Sequence, residues 1–460
     1  MKRIAIVGGG ISGLSAAFVL EQRRRLGAEL EYVLFESSPR FGGVIHTELV
    51  DGCVVEAGPD CFLTEKPWAA DLCRELGLAD QLIASNDAVR KTYILVKGRL
   101  LPLPDGLMFT VPTNFRAAFL SPLFSRRTKL RMIREWFYPR HQSGDRTVAD
   151  FVERHYGHEM VERIADPLLA GIYGGSADEL SLLSVLPRFA EMEAKYGSLG
   201  RAMIASRKKP ASPHPLFTSL RNGMQQMTDA LLARVPQLAL QANTTVESVK
   251  RESRKWLVFA GGRTVEFDGI IIATPAHIAC EMLGADAGLA NELRAIRYSS
   301  SVTVTLGYDE GVRAALPAGF GFLVPRAETR RLLAATFVHN KFPGRAPQNR
   351  ALIRCVLGGT RNESILESSE EEILSVVREE LRQILGISEP PLFVRVYKWK
   401  QAMAQYNVGH GARVERIRNL LAGMPGLAIA GNAYSGIGVP DCVRSGTDAA
   451  AKVGGDLGIS

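Results

Sequence analysis

The chain has 460 residues, of which 46% are hydrophobic and 23% are charged, which is an ordinary globular composition. A chain of that length is too long for one simple hydrophobic core, so two or three domains are expected. The net charge of +8 favours anionic partners such as a phospholipid surface, an acidic substrate or nucleic acid, but no nucleic-acid-binding motif accompanies it.

The sequence predicts a soluble or peripheral protein of a reducing compartment. The cysteines show no C-x-x-C pair and no metal-ligand spacing, so neither a disulfide framework nor a metal site is predicted. Residues 4–20 carry no charge and follow Lys2 and Arg3, which imitates a signal peptide, but three consecutive glycines argue against that alternative. No other uncharged apolar run could span a bilayer. We therefore expect a cytoplasmic protein, either free or peripheral on the inner face of the cell membrane.

The start of the chain predicts a dinucleotide-binding unit. Residues 2–7 form a short apolar run typical of a buried strand, and Gly8, Gly10 and Gly13 then fit G-x-G-x-x-G. The first glycine allows a tight turn, the second lets the backbone approach a pyrophosphate, and the third lets helix and strand pack closely. A second strand ends at Glu36, a carboxylate placed to accept hydrogen bonds from a ribose. The alternative is a glycine-rich turn without a ligand.

Residues 92–113 predict strands and turns, and residues 114–140 change character. In this second segment large apolar side chains alternate with arginines, as in helices that lie on a membrane surface. The alternative is a domain helix with a solvated basic face. The two helical faces consist of Leu130, Ile133 and Phe137 on the apolar side and Arg127, Arg131 and Arg134 on the basic side.

The rest of the chain predicts helices followed by strands. Residues 147–200 are helical with an interruption at 171–175, and the proline-rich residues 207–217 form a linker or crossover. Buried strand patterns return between 245 and 275. The remaining predicted elements are strands at 301–308, 320–324, 332–337 and 351–357 in an antiparallel sheet, a helix at 369–385, a strand into a glycine turn at 427–432 and a final helix to about 453.

Arg40, Gly42 and Gly43 complete an R-x-G-G run just after Glu36. This run resembles the FAD-binding flavoproteins of the amine-oxidase and desaturase type. In those families the arginine and glycines lie along the FAD pyrophosphate. The resemblance therefore implies FAD rather than NAD as the cofactor.

Several further stretches resemble the FAD-dependent porphyrinogen oxidases of haem biosynthesis, which include protoporphyrinogen oxidase and bacterial coproporphyrinogen oxidase. They follow one another in family order from end to end of the chain. The segments that carry the resemblance are residues 8–13 with 36–43, 56–63, 167–175 with 180–181, 319–325, 405–410 and 431–442.

The resemblance implies an α/β plus α+β fold of three domains. The FAD-binding domain is Rossmann-like and discontinuous, with residues 1–88, 212–284 and 412–460. A helical domain of the membrane-binding type covers 89–211. An antiparallel-sheet domain at 285–411 binds the substrate. A homodimer is also compatible with the sequence.

Site residues are carried over position by position. The implied FAD contacts are Gly8, Gly9, Gly10, Ile11, Ser12, Gly13, Glu36, Ser37, Arg40, Gly43, Val44, Gly58, Pro59, Asp60, Cys61, Val246, Asn432, Ile437, Gly438 and Val439. The implied macrocycle contacts are Leu168, Gly171, Tyr173, Phe320, Gly321, Leu323 and Val356, with Lys66 as a candidate partner of a propionate. The alternative for Lys66 is a solvated lysine at a helix start.

Two departures leave the substrate open. Met108 and Asp60 stand where eukaryotic members carry arginines, although bacterial coproporphyrinogen-type members share the aspartate. Diffuse positive charge in 116–140 would suit four propionates, whereas an apolar pocket would suit vinyl groups. We expect protoporphyrinogen IX narrowly ahead of coproporphyrinogen III. More remote alternatives are an amine oxidase, a carotenoid desaturase, or a non-enzymatic binding protein like the GDP-dissociation inhibitors.

The implied reaction removes six electrons in three cycles, with hydride transfer to flavin N5 and dioxygen reduced to hydrogen peroxide. It requires no catalytic side chain, because positioning by the protein and the chemistry of the cofactor suffice. His277, His339 and His410 are expected to be hydrogen-bonded scaffold residues.

Overall fold

The computed structural model describes residues 1–141, 144–206, 215–284 and 286–459, so the predicted linker at 207–217 lies mostly outside the described residues. The strands are β1 Lys2–Val7, β2 Leu30–Phe35, β3 Thr47–Val50, β4 Cys53–Glu56, β5 Phe62–Leu63, β6 Leu82–Ala84, β7 Thr92–Val96, β8 Arg99–Pro102, β9 Leu107–Met108, β10 Val111–Pro112, β11 Phe217–Leu220, β12 Leu240–Gln241, β13 Val246–Glu252, β14 Lys255–Ala260, β15 Arg263–Phe267, β16 Gly269–Ile272, β17 Tyr298–Tyr308, β18 Gly321–Leu323, β19 Leu332–Phe337, β20 Ala351–Gly358, β21 Phe393–Ala404 and β22 Leu427–Ile429.

The helices are α1 Ile11–Arg25, α2 Trp68–Glu75, α3 Phe115–Leu120, α4 Arg126–Glu135, α5 Val148–Tyr156, α6 His158–Met160, α7 Asp166–Tyr173, α8 Leu182–Val185, α9 Pro187–Tyr196, α10 Leu199–Ser206, α11 Gln225–Leu232, α12 Ala276–Met282, α13 Ala287–Arg294, α14 Glu310–Ala315, α15 Val338–Lys341, α16 Glu370–Leu385, α17 His410–Ala422 and α18 Val439–Asp456. A π-helical turn at Val161–Ala165 leads into α7.

A parallel sheet forms the predicted Rossmann-like core. Its strand order is β12-β2-β1-β16-β22, and each neighbouring pair is parallel. The central strands read as continuous apolar runs because elements cover both faces, and Ile4, Ile6 and Ile271 are fully buried. The strands come from three separate parts of the chain, which is the discontinuity that the sequence predicted.

The second sheet has the order β21-β17-β20-β19-β18-β7-β8 among the described residues. Its neighbours are antiparallel except β18 and β7. One face buries Val304, Phe322 and Ile353 in the same core as Ile373 and Val377 of α16. Strands β7 and β8 fall within the range predicted as the helical domain, yet they extend this sheet, because β7 pairs with β18.

The opposite face of the second sheet is only partly covered. Leu323 pairs with Ala334, and Ala334 with Val356, so the three side chains lie in one row. All three are half-buried, whereas the residues directly before and after each of them in the chain are buried. The sheet therefore presents a floor of small and apolar side chains toward helix α7.

A buried charged cluster ties the helices α4, α5, α9 and α10 together. His155 Nδ1 lies 3.1 Å from Glu135 Oε1, and its Nε2 lies 3.2 Å from Glu193 Oε1. Arg146 donates to Glu193 Oε2 at 2.5 Å, and Ser198 Oγ donates to Glu135 Oε2 at 3.0 Å. Burial lowers the pKa of His155, but the two carboxylates outweigh it and leave that pKa raised.

From this cluster we predict that raising the pH destabilises the helical domain. The stabilisation from His155 is fully present below its ordinary pKa of 6.5 and is lost as the pH rises through the raised folded value. The loss amounts to about 1.4 kcal/mol for each unit by which folding raises the pKa. Urea unfolding between pH 6 and pH 9 should show it. His155→Gln should flatten the slope, whereas the exposed control His158→Gln should not, and an unchanged slope in His155→Gln would contradict the assignment.

Candidate active site

The glycine turn between β1 and α1 borders open space. Gly10 is the N-cap of α1, and no side-chain oxygen caps the helix, so the first N–H groups of α1 are available to an anion. A Cβ atom built on Gly10 would meet no atom of the described structure within 4 Å. One built on Gly13 would lie 1.9 Å from the Gly8 carbonyl oxygen. Gly13 therefore allows close packing, whereas Gly10 leaves room for a pyrophosphate.

Glu36 lies directly after β2, beside this turn. Its Oε2 accepts a hydrogen bond from Gly9 N–H at 2.7 Å, and its Oε1 accepts one from Ser38 N–H at 2.8 Å. The backbone of Glu36 also bonds to Gln241 and Thr244 at 2.9 and 2.8 Å, which brings the start of β13 to the same edge. The carboxylate is thus fixed beside the glycine turn, and its contact with a ribose remains a prediction. The predicted contact from Val246 remains a prediction.

Arg40 organises the loop that continues the site. Its guanidinium donates to the carbonyl oxygens of Phe41, Gly43 and Ile45 at 3.0, 2.5 and 2.9 Å. The loop lies on the glycine turn, because Gly42 N–H donates to Gly9 O at 2.8 Å. The backbone around Gly43 is fixed in place by these bonds.

Gly58 extends the same line toward the second sheet. A Cβ atom on Gly58 would lie 1.9 Å from the Val44 carbonyl oxygen, so the two backbones touch. Ala57 N–H donates to His46 O at 2.9 Å, and Trp399 Nε1 donates to Ala57 O at 2.9 Å. Glu36, the glycine turn, Gly43, Val44 and Gly58 thus form one continuous track from the end of β2 to the second sheet.

Asp60 sits at the end of this track between two cations. Lys341 Nζ lies 2.8 Å from Asp60 Oδ2, Arg354 Nη1 lies 3.7 Å from Oδ1, and Arg354 also donates to the Gly58 carbonyl. Burial alone would raise the pKa of Asp60, but the two cations hold it well below its ordinary value. Burial and Asp60 raise the pKa of the Cys61 thiol to about 12, so the thiol is neutral.

The predicted macrocycle residues lie on two facing walls. Helix α7 carries Leu168, Gly171 and Tyr173, and a Cβ atom on Gly171 would lie 3.6 Å from Leu323 Cδ2 of β18. A Cβ atom on Gly321 would lie 1.9 Å from Ala335 O, which explains a glycine there. Phe320 is buried, and Val356 lies in the half-buried row of the sheet floor.

Long-range contacts that the sequence did not reveal hold these walls. Arg361 donates to Asp166 Oδ2 at 2.6 Å and to Val324 O at 2.9 Å, which joins the start of α7 to the end of β18. Gln405 Nε2 donates to Tyr173 O at 2.6 Å at the other end of α7. The partners lie far apart in sequence, so only the resemblance of residues 405–410 gave any signal.

The last predicted segment closes the site. Tyr406 donates to Asn432 O at 2.8 Å and accepts from Gly436 N–H at 2.8 Å, which fixes the turn before α18. Residues 437–439 lie at the start of that helix. Lys66 Nζ lies 2.5 Å from Asp441 Oδ2 in the first turn of α18. The ammonium is therefore ion-paired in this structure, and its contact with a propionate remains a prediction.

Burial lowers the pKa of each of the three unassigned histidines below its ordinary value. His339 Nδ1 accepts from Leu352 N–H at 3.1 Å, as expected of a scaffold residue. His410 instead stacks on Tyr406 at 4.0 Å between ring centroids, and His277 packs edge-on against Tyr298 at 4.9 Å. Burial lowers the pKa of His339 and of His410 to about 4 in each case. None of them is suited to act as a charged acid.

The open space at Gly10 gives a direct test of the predicted FAD site. Gly10→Val should abolish FAD retention, because its side chain meets no protein atom and would occupy the space of the phosphates. Flavin absorbance of the purified variant measures this. Gly455→Val, in the last turn of α18 with equal room around its Cβ, is the matched control and should keep its flavin. A normal flavin content in Gly10→Val would refute the assignment.

Comparisons with known proteins agree with this geometry. The family of flavin containing amine oxidoreductases matches residues 11–454. The chain is 33% identical to the coproporphyrinogen III oxidase of Bacillus subtilis (strain 168), covering 97% of this chain and 96% of the relative. It is 28% identical to the mitochondrial protoporphyrinogen oxidase of Nicotiana tabacum, covering 98% and 94%.

A solved structure extends the comparison to three dimensions. This solved structure is a crystal structure of a protein from Exiguobacterium sp. 255-15 that is named as a protoporphyrinogen oxidase. It superposes on this chain with a TM-score of 0.89 at 28% identity, and the match covers 99% of both chains. The open cradle at Gly10, the carboxylate of Glu36 and the track toward Gly58 fit FAD. The chain belongs to the FAD-dependent porphyrinogen oxidases within the family of flavin containing amine oxidoreductases.

Proposed function

We propose that this enzyme oxidises coproporphyrinogen III to coproporphyrin III, with dioxygen as the electron acceptor. The observation that carries the proposal is the greater similarity to the Bacillus subtilis relative named coproporphyrinogen III oxidase than to the tobacco protoporphyrinogen oxidase. The sequence-based expectation placed protoporphyrinogen IX narrowly first. The relatives favour the alternative.

Charge on the protein also supports four propionates over two. Arg116, Arg126, Arg127 and Arg134 are exposed, and within the described part of the chain none of them has a carboxylate within 4.0 Å. Their charge would attract an anionic substrate to this side of the protein. Each exposed ion pair contributes only about 0–1 kcal/mol to binding. A substrate with four carboxylates would therefore gain more from this diffuse charge than a substrate with two.

The residues around the site position the substrate rather than exchange protons with it. When bound, FAD would supply a two-electron acceptor for hydride from a meso carbon, with dioxygen as the final oxidant. Helix α7 and the floor at Leu323 and Val356 would border the flat macrocycle. A Cβ atom on Gly171 would be in ordinary van der Waals contact with Leu323, so the macrocycle would lie beside this contact and not between the two residues. Gly10, Gly43 and Gly58 would lie along the cofactor.

The substrate proposal is tested by comparing kcat/KM for the two porphyrinogens on the same FAD-loaded preparation. We expect coproporphyrinogen III to be favoured at least tenfold, which is about 1.4 kcal/mol in transition-state binding. Amines serve as negative controls. Equal values, or a preference for protoporphyrinogen IX, would overturn the substrate and leave the fold and cofactor intact.

We further propose that the enzyme attaches reversibly to anionic membranes. Leu120, Leu130, Ile133 and Phe137 are exposed on α3, on α4 and just after it, beside the arginines of residues 116–140. An exposed apolar face flanked by basic side chains suits the boundary of an anionic bilayer. Within the described residues, the helices include none that is long and apolar enough to cross a membrane.

Co-sedimentation with liposomes tests this attachment. Binding should rise with anionic lipid content and fall with ionic strength. Leu130→Ser combined with Phe137→Ser should weaken it several-fold. Leu26→Ser is the control, because Leu26 is even more exposed, lies beside Arg23, Arg24 and Arg25, and is outside the patch. Co-sedimentation that depends on neither the anionic lipid content nor the ionic strength would contradict the proposal.

A further inference from the structure

The buried charges beside Gly58 do not balance. Glu56 and Arg345 form one ion pair at 2.6 Å between Oε1 and Nη1. Next to it, Asp60 alone faces the two cations Lys341 and Arg354. A cavity of about 10 Å³ lies between the two groups, which leaves room for about one water molecule. Three cations and two carboxylates thus share a place that is largely closed to solvent.

The other neighbours of the two cations are neutral. Lys341 donates to the Cys61 sulfur at 3.2 Å, and its ammonium lies 4.7 Å from the centroid of the Phe217 ring. Arg354 donates to the Gly58 carbonyl. Lys341 is 8% exposed overall, and the Arg354 side chain is 14% exposed. The excess positive charge is therefore retained in a place where its desolvation is costly.

Such a charge is stabilised when a negative charge arrives nearby. The track from Glu36 through Gly10 and Gly43 ends at Gly58, whose carbonyl Arg354 holds. The flavin end of a bound FAD would lie there. Hydride transfer to the flavin adds two electrons and one proton, which leaves the reduced ring with one negative charge at neutral pH. A substrate propionate is a less suitable partner for these buried cations, because it would favour a more solvent-exposed part of the site.

We propose that Lys341 and Arg354, opposed by the single carboxylate of Asp60, stabilise the negative charge of reduced FAD and so raise the reduction potential of the bound cofactor. The proposal rests on the predicted flavin position beside residues 58–61 and not on the identity of the porphyrinogen. The field of buried charges acts strongly here because little water screens it. The two residues tune the cofactor and need not touch the substrate.

The experiment is a dye-coupled potential measurement on the purified, FAD-loaded protein, which requires no porphyrinogen. Arg354→Gln removes the charge but keeps an amide N–H that can donate to Gly58 O. It should weaken the preference for reduced over oxidised FAD at least tenfold, which is about 30 mV for a two-electron couple. Arg354→Lys keeps the charge and should stay within twofold of the native protein.

Charge balance provides the second comparison. Lys341→Gln should lower the potential in the same direction as Arg354→Gln. Asp60→Asn combined with Lys341→Gln removes one charge of each sign and should stay within twofold of native. A purely structural role would make this double variant worse than the single one. If Arg354→Gln fails to fold, the Lys341 comparison decides.

Two results would overturn the proposal: a native potential in the variants that lose one cation, or an equal fall in Arg354→Lys. A substrate preference other than the proposed one leaves these potentials unchanged, so the two failures are distinguishable.

Discussion

The buried ion pair of Glu56 and Arg345 is the contact on which the site depends. Its partners are 289 residues apart in sequence, and both side chains are almost fully buried. Arg345 also donates to Ser219 Oγ at 2.6 Å, and Ser219 donates in turn to the carbonyl of Asp60 at 2.7 Å. Removing one partner of such a pair would cost about 3–5 kcal/mol, because the other charge would stay buried alone. The pair thus fixes the segment before Gly58 against the loop that joins α15 to β20 of the second sheet.

The two faces of the second sheet have different roles. The face under α16 buries large apolar side chains and stabilises the domain. The other face is half-covered and carries Leu323, Val356 and Arg354, which lie where the cofactor track ends. Alternation along each strand allows both roles in one sheet. Helix α7 completes the site from a different domain, held at its two ends by Arg361 and Gln405.

The charge around Asp60 bears on one departure from the family pattern. The resemblance implies an arginine at this position in eukaryotic members, whereas this chain carries an aspartate of the opposite charge. Lys341 and Arg354 surround the carboxylate, so the local balance is positive all the same. A single substitution read from the sequence therefore misleads about electrostatics, because partners from α15 and β20 decide the field.

The sequence by itself determined the elements whose causes are local. The glycine turn, the Glu36 strand end and the strands β1, β2, β16 to β20 and β22 follow from steric limits and apolar periodicity, which need only neighbouring residues. Strands β12 and β21 were not predicted. The tertiary structure alone decided the pairing of Lys66 with Asp441, the cations at Asp60, the brace at Arg361 and the place of β7 and β8 in the second sheet. The ion-pair partners of charged side chains are set by distances in the folded chain rather than by spacing along the sequence.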